Sequence, residues 1–214
     1  MSVPAVVERR IASRRLLRAI DILGAGVALI LFLPVLVIIA GIVSLERRGP
    51  ILFRHERIGL QGQTFRCLKF RTMVADAEER LQEVLASCPD QALAWMRDQK
   101  LANDPRITPL GRLLRVSSLD EMPQLWNVLV GEMSLVGPRP ITEAEIVRYG
   151  RYFCDYVCVK PGITGLWQIS GRNNVSYRRR VAMDVAFSRS QSVALVLKIL
   201  ALTPIAVLFA RGSG

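Results

Sequence analysis

The main feature of the hydrophobic pattern is a long apolar run near the N-terminus. Residues 22–45 are 24 consecutive positions without a charged side chain, and Pro34 has 12 of them before it and 11 after it. A continuous helix of this length would measure about 36 Å, enough to cross a hydrocarbon core of about 30 Å. Because proline lacks an amide donor and clashes with the preceding turn, we expect a kink or break at Leu33–Pro34. The run therefore predicts a membrane helix with a distortion at its centre.

Basic residues lie on both sides of this run: Arg9, Arg10, Arg14, Arg15 and Arg18 before it, and Arg47, Arg48, Arg54 and Arg57 after it. Basic residues next to a membrane segment tend to stay on the cytoplasmic side. A spanning helix would export one of the two clusters, whereas a re-entrant hairpin would keep both inside. Prolines are also tolerated in ordinary spanning helices. From the residues alone, both topologies stay open.

The remaining pattern predicts an α+β fold that is mostly helical. Two short strands, 51–55 and 65–73, flank a glycine-containing turn at 59–62, and a helical segment at 75–101 is interrupted at 88–90. A short basic helix follows the loop at 103–109. The apolar segment 193–210 contains Lys198 and has only 18 residues, so we expect an interfacial or core-docked helix there.

The composition narrows the possible partners. The chain of 214 residues has 29 Lys and Arg against 18 Asp and Glu, a formal net charge of +11. A basic chain tied to a membrane is suited to anionic lipid headgroups and phosphorylated substrates. Nucleic acid is not expected, because the arginines are scattered and no nucleic-acid-binding motif is present. Four cysteines without paired CxxC spacing and a single histidine do not form a zinc-binding set.

Candidate chemistry is concentrated in residues 117–140. Ser118–Glu121 fits a capping box, and Pro123 suits the first turn of a helix, so Asp120 and Glu121 are predicted at a helix N-terminus. Ordinary capping explains two such carboxylates. A functional alternative is that one carboxylate attacks or accepts a proton while the other holds a cation. The loop at 170–174, which contains Arg172, is either a phosphate-binding loop or an ordinary turn.

Several motifs occur together in a characteristic order. They are the proline-broken apolar run, Phe53–Gly59, Lys69–Met73, Asp104–Gly111, Ser118–Asn127, Met133–Pro140 and Lys160–Gln168. With this set, from about residue 15 to the end, the chain resembles the bacterial sugar transferases of the monotopic phosphoglycosyltransferase superfamily. Within this superfamily, the chain resembles most the short members, which are exopolysaccharide-initiating galactosyl-phosphate transferases.

This resemblance implies a reaction. A phospho-sugar is transferred from a UDP-sugar to polyprenyl phosphate, and UMP is released. Asp120 is implied as the nucleophile on the β-phosphorus, and Glu121 as the ligand of a Mg²⁺ ion. The side chains implied to bind the phosphates are Lys69, Arg71, Arg112, Arg115, Arg139 and Arg172, with Pro138 and Pro140 fixing the direction of Arg139.

The resemblance also implies an architecture. Residues 1–48 would form a basic N-terminus and a re-entrant helix–break–helix with its break at Leu33–Pro34, and residues 49–214 a catalytic domain. The domain would lie on the cytoplasmic face of the bacterial inner membrane, among anionic lipids, and supply product to downstream glycosyltransferases. The chain departs from the family pattern at Arg178–Arg180, where acidic residues are common. We assign no role to this cluster or to Asp184.

A non-enzymatic alternative is a basic adaptor on the membrane surface. It explains the charge and the apolar run, but it gives no reason for the motifs around Asp120 and Arg139. Within the enzymatic interpretation, the residues do not distinguish a hexose from an N-acetylated sugar.

Overall fold

The computed structural model describes residues 3–46, 49–98, 101, 104–171 and 175–208. The α-helices are α1 (Val3–Leu45), α2 (Ala77–Ser87), α3 (Pro89–Asp98), α4 (Pro109–Ser117), α5 (Gln124–Val130), α6 (Ile146–Tyr149), α7 (Phe153–Tyr156), α8 (Leu166–Ile169), α9 (Tyr177–Ser190) and α10 (Val193–Leu208). The strands are β1 (Leu52–Ile58), β2 (Thr64–Phe70), β3 (Ser134–Val136) and β4 (Gly162–Thr164). The predicted α+β fold with mostly helical content is confirmed.

The strands form two small sheets. β1 and β2 pair as an antiparallel hairpin in which His55 is opposite Cys67 and Phe53 is opposite Lys69, confirming the two strands expected around the turn at 59–62. β3 and β4 pair in parallel, with Ser134 opposite Gly162. This second pair was not predicted, because three-residue strands leave almost no periodic signal in a sequence.

The first helix differs from expectation at its centre. α1 continues through Pro34, so a break into two helices at Leu33–Pro34 is not observed in the described backbone. Proline removes one amide donor, but the turns on either side keep their hydrogen bonds. Both halves of α1 also pack against the rest of the protein, which holds the helix together. Whether the chain enters and leaves a membrane by the same face stays a prediction.

One face of α1 is docked along the domain. Ala25 packs with Phe65 and Val128, while Ile39 and Val43 pack with Phe70 and Leu114. The spacing from 25 to 43 follows the helical period, so these side chains share one stripe.

Polar contacts add to this docking at the N-terminal end of the apolar run. Arg18 donates to the carbonyl oxygens of Val128 and Leu129, each at 2.6 Å, at the C-terminus of α5. The buried carboxylate of Asp21 accepts from the Ser134 hydroxyl and from the Leu135 amide, each at 2.8 Å. These bonds place α1 in a defined position against α5 and β3.

The opposite face of α1 is apolar and exposed. Ile30 is 77% exposed and Leu23 69%, and the exposed row continues through Val37, Ile38 and Leu45. Soluble domains rarely expose a continuous apolar surface of this length. Within the described residues, Ser13–Leu45 is the helix long and apolar enough to cross a membrane.

The C-terminal apolar helix packs on the domain with one side. Val196 and Ile199 of α10 are buried with Val136 and Phe187, while Leu197 and Ile205 are about half exposed. The expectation of a core-docked helix therefore agrees with the inner side of α10. Its outer side, with Leu197 and Ile205, is apolar and exposed. The interfacial position of α10 stays a prediction.

Candidate active site

Asp120 and Glu121, called the dyad below, lie in a tight turn between two helices. α4 ends at Ser117, and the next residue, Ser118, adopts a left-handed conformation with φ 59°. A single 3₁₀ turn follows at Leu119–Glu121 before α5 begins. An N-cap residue has extended backbone angles, so the capping box predicted at Ser118–Glu121 is not formed. The left-handed residue reverses the chain direction and presents the dyad at the junction of α4 and α5.

A close backbone approach positions α4 beside this turn. A Cβ atom on Gly111 would collide with the backbone of Thr72, so α4 can lie directly against the loop that follows β2. In that position the Arg115 guanidinium donates from Nε to Thr72 Oγ1 at 2.9 Å. Arg115 is thereby held close enough to act electrostatically on Asp120.

Lys69 reaches the dyad from β2. Its ammonium lies 2.6 Å from Glu121 Oε1 and is partly buried. Asn127 holds β2 against α5, because its side chain accepts from the Leu68 amide at 3.0 Å and donates to the Arg66 carbonyl at 2.8 Å. Asn127 was not predicted as a site residue. An asparagine within the apolar sequence of α5 was the feature that could have indicated a buried polar contact. It sets the distance between Lys69 and the dyad.

The electrostatic environment of Asp120 suits a nucleophile. The residue is 8% exposed, and burial together with the neighbouring Glu121 raises its pKa to about 6, while Lys69 and Arg115 oppose the increase. Because pH 7 lies above this value, the ionised form of Asp120 is the main one there. Asp120 is therefore an anion that has lost most of its hydration, close to two cations that can receive a phosphate.

Residues 137–140, the proline–arginine loop below, are fixed by backbone contacts. The Gly162 amide donates to the Pro138 carbonyl at 2.8 Å, and the Gly137 amide donates to the Thr164 carbonyl at 2.9 Å. Side chains on Gly137 or Gly162 would collide with the facing backbone. This close approach explains the glycines of the 160–168 motif and places Arg139 at a defined position in the loop.

Arg57 connects this loop to the hairpin. Its guanidinium donates to the Pro140 carbonyl at 3.1 Å and forms an ion pair with Glu145 at 3.3 Å. Arg139 is near enough to depress the pKa of Arg57 together with burial, and it also acts on Asp184. The hairpin and the proline–arginine loop therefore bring Arg57, Lys69 and Arg139 near one another, and two of these cations are paired with Glu145 and Glu121.

The structure brings together some of the predicted site residues and separates others. The structure gathers Asp120, Glu121, Lys69 and Arg115, with Pro138, Arg139 and Pro140 in the adjoining loop. Arg112 is exposed on the outside of α4. Arg172 lies outside the described residues, so its phosphate-binding role stays a prediction.

Arg71 contacts the backbone at the end of α1. It is buried, and its guanidinium donates to the carbonyl oxygens of Val43 at 3.0 Å, Glu46 at 3.1 Å and Pro50 at 3.0 Å. These contacts satisfy carbonyls at the C-terminal end of α1, where a cation is favoured. Three of the five guanidinium N–H groups are thus used by the backbone, which gives Arg71 a structural role at the end of α1. Substrate binding by Arg71 stays a prediction.

A second buried acidic group lies behind the site. The Tyr149 hydroxyl donates to Asp184 Oδ2 at 2.7 Å, and burial raises the pKa of Asp184 to about 7 against the opposing effects of that bond, Arg180 and Arg139. Arg180 stacks over the ring of Trp167 with its guanidinium carbon 4.3 Å from the ring centroid. From the sequence we assigned no role to Arg180 or Asp184, and the bond between Tyr149 and Asp184 joins residues 35 positions apart.

The donor set is compatible with magnesium. In the described part of the chain, no three His, Cys, Asp or Glu side chains form a metal-binding group. Mg²⁺ is commonly held by one or two carboxylates, with substrate phosphates and water completing its octahedron. The dyad supplies two adjacent carboxylates of this kind.

Comparison with known proteins identifies the family. Residues 12–210 match the family described as bacterial sugar transferase. The chain belongs to this family. The exopolysaccharide production protein ExoY of Rhizobium meliloti strain 1021 is 47% identical to this transferase over 196 residues, which cover 92% of the chain and 87% of ExoY.

Two longer relatives are also similar to this transferase. The UDP-galactose-lipid carrier transferase of Erwinia amylovora is 51% identical over 85% of the chain, which corresponds to 38% of that protein. The undecaprenyl-phosphate galactose phosphotransferase of Salmonella typhimurium is 48% identical over 81% of the chain, or 36% of that protein. The transferase thus spans little more than a third of these two relatives and most of ExoY.

Proposed function

We propose that this transferase moves a hexose 1-phosphate from a UDP-sugar to polyprenyl phosphate, as the first membrane step of exopolysaccharide synthesis. The observation that carries the proposal is the arrangement of Asp120 with Glu121, Lys69 and Arg115. The names of the relatives support the substrate classes, since they include a UDP-galactose-lipid carrier transferase and an undecaprenyl-phosphate galactose phosphotransferase.

The first half of the reaction is an attack by Asp120. A carboxylate oxygen forms a bond to the β-phosphorus, and the bond from that phosphorus to the oxygen bridging to UMP breaks. UMP leaves with the electron pair, and the phospho-sugar stays on Asp120 as an acyl phosphate. An anion attacking a diphosphate must overcome charge repulsion, which Lys69, Arg115 and Arg139 reduce by binding phosphate oxygens.

The second half returns the phospho-sugar to a lipid. A phosphate oxygen of polyprenyl phosphate attacks the same phosphorus, and the bond to Asp120 breaks. The products are polyprenyl-diphosphate sugar and the free carboxylate. A phosphate monoester with a second pKa near ~6 is already anionic at pH 7, so the acceptor needs no general base.

The proposed reaction includes a bound magnesium ion. Glu121 would hold it, with Asp120 adjacent. When bound, Mg²⁺ neutralises charge on the diphosphate and on the departing UMP. Lys69 already contacts Glu121, so it can neutralise this carboxylate until the donor arrives and then contact the phosphates.

The membrane arrangement is also proposed. Both Arg18 and Val43 of α1 contact the same domain, although a helix places them about 37 Å apart. A straight spanning helix would carry these two contact points to opposite sides of a core about 30 Å thick. The docking therefore supports a monotopic protein, with the exposed face of α1 in lipid and the domain on the cytoplasmic face.

UMP release tests the proposed activity. The protein in detergent is incubated with Mg²⁺, polyprenyl phosphate and, in turn, UDP-galactose, UDP-glucose and their N-acetylated counterparts. We expect repeated turnover with at least one hexose donor. Absence of UMP release with every donor would contradict the function and favour the membrane-surface adaptor.

A further inference from the structure

His55 faces the same side of the hairpin as the lysine that contacts the dyad. In the antiparallel ladder His55 is directly opposite Cys67, and Lys69 follows two residues along β2. Directly opposed residues, and residues two apart, project from the same face of a sheet. The imidazole therefore lies between the Lys69–Glu121 ion pair on one side and Arg57 on the other, and it is half-buried.

The contact with Arg57 determines where the imidazole proton resides. Arg57 Nη2 lies 3.1 Å from His55 Nδ1. A guanidinium group stays protonated and only donates, so Nδ1 must accept and the proton of the neutral ring is on Nε2. The ring then presents one N–H donor and has no free lone pair.

The surrounding charges favour this neutral form. Burial, Arg57 and Lys69 lower the pKa of His55 to about 4, with a further contribution from Arg139 and an opposing one from Glu145. At neutral pH the ring is therefore uncharged although it stands among cations. With Nδ1 occupied and Nε2 protonated, His55 is unsuited to act as a general base, and the proposed reaction does not require one.

A neutral N–H group beside Lys69, Arg57 and Arg139 is suited to donate a hydrogen bond to an anion. The neighbouring cations attract anionic oxygens, and an imidazole N–H adds a directional donor without adding to the repulsion among Lys69, Arg57 and Arg139. We propose that His55 is a substrate-contacting residue whose Nε2–H donates a hydrogen bond to a phosphate oxygen of the nucleotide sugar. Arg57 is the positioning residue that selects this tautomer. The proposal rests on the proposed function for the identity of its ligand.

Because His55 is the single histidine of the chain, it can be observed directly. The full-length protein, carrying an affinity tag without histidine, is labelled with ¹⁵N-histidine and examined by two-bond proton–nitrogen correlation at pH 7. We expect a neutral ring with its proton on Nε2, and we expect UDP to shift the Nε2 signal while Nδ1 stays an acceptor. A protonated ring, an Nδ1–H tautomer, or an Nε2 signal unmoved by saturating UDP would overturn the proposal.

Two matched amide variants distinguish donation from packing. The amide nitrogen of His55→Gln reaches approximately the position of Nε2, whereas that of His55→Asn reaches only that of Nδ1. We expect His55→Gln to bind UDP within about threefold of the parent, and His55→Asn to bind about tenfold or more weakly, on the scale of one hydrogen bond to a charged group. Equal UDP affinity in the parent and both variants, measured by calorimetry, would contradict the contact.

The two proposals fail in different ways. If the parent forms an aspartyl adduct but His55→Asn binds UDP normally, the His55 contact is wrong and the function stands. If UDP shifts the Nε2 signal but the parent forms no adduct, the contact stands and the covalent mechanism is wrong.

Discussion

The ammonium of Lys69 lies 2.6 Å from a carboxylate oxygen of Glu121, and both groups act on the neighbouring Asp120 in opposite directions. Glu121 raises the pKa of Asp120 because two adjacent anions repel, whereas Lys69 lowers it because a cation stabilises the ionised form. Burial makes the largest contribution and also raises this pKa. The ionisation of Asp120 is therefore set by a balance that single substitutions can change in either direction.

This balance predicts the direction in which each substitution shifts the pH profile of activity. The proposed mechanism requires ionised Asp120, so the single-turnover rate of UMP release should fall as the pH decreases through about 6. Lys69→Gln removes a cation and should move this acidic limb to higher pH, while Glu121→Gln removes an anion and should move it to lower pH. Each profile is normalised to its own maximum, because both changes also reduce the rate.

Arg66 is exposed on β2 and carries the same charge as Lys69, so it provides a control for the Lys69→Gln variant. Arg66→Gln should leave the acidic limb where it is in the parent. Shifts of the same sign in Lys69→Gln and Glu121→Gln would show that Asp120 does not determine this limb.

Arg139 is predicted to bind charge that develops on the phosphates. Because lysine cannot reproduce the bidentate guanidinium, Arg139→Lys should reduce kcat by about 10²-fold or more, the scale of losing one preorganised donor. The same change at exposed Arg66 should alter kcat by no more than about threefold. A nearly unaffected Arg139→Lys enzyme would limit Arg139 to a structural role.

Arg71 should affect stability rather than catalysis. Arg71→Gln leaves carbonyl oxygens of residues 43, 46 and 50 without their charged donor, at a cost of about 1.5–3 kcal/mol. We expect a lower melting temperature in detergent and a kcat for the folded enzyme within about threefold of the parent. A fully stable variant that has lost turnover would restore the substrate-binding interpretation.

Single-cysteine labelling tests the membrane topology. The four native cysteines are replaced by serine or alanine, activity is verified, and one cysteine is introduced near residue 10 or near residue 48. Both positions should react with an impermeant reagent only from the cytoplasmic side. Labelling of either from the opposite side would contradict the monotopic arrangement and indicate a spanning helix.

The sequence identified local features well. The β1–β2 hairpin, the interruption between α2 and α3, and the position of Asp120 beside basic segments all follow from turn residues, periodicity and spacing. Each depends on residues that are close in the chain, where local geometry limits the alternatives.

What the sequence did not reveal depends on contacts between distant segments. Arg71 and Arg139 are both arginines within the motifs that carry the family resemblance, yet packing directs Arg71 to the end of α1 and leaves Arg139 in the proline–arginine loop. The bond between Tyr149 and Asp184 and the bracing of β2 by Asn127 likewise appear only once the chain is folded. Local patterns locate such residues but do not specify which distant partner uses their donors.

Trapping the intermediate is the most direct test of the covalent mechanism. The parent protein is incubated with Mg²⁺ and its UDP-sugar donor without polyprenyl phosphate, digested under conditions that preserve acyl phosphates, and analysed by mass spectrometry. Asp120→Asn is the matched control, and it should remain folded because removing a buried charge of raised pKa does not destabilise the native state above pH 6. We predict a mass increase of one phospho-sugar on the peptide containing Asp120, accompanied by about one equivalent of UMP, and no adduct in Asp120→Asn. UMP release that occurs only when the acceptor is present, with no adduct on Asp120, would contradict the covalent mechanism.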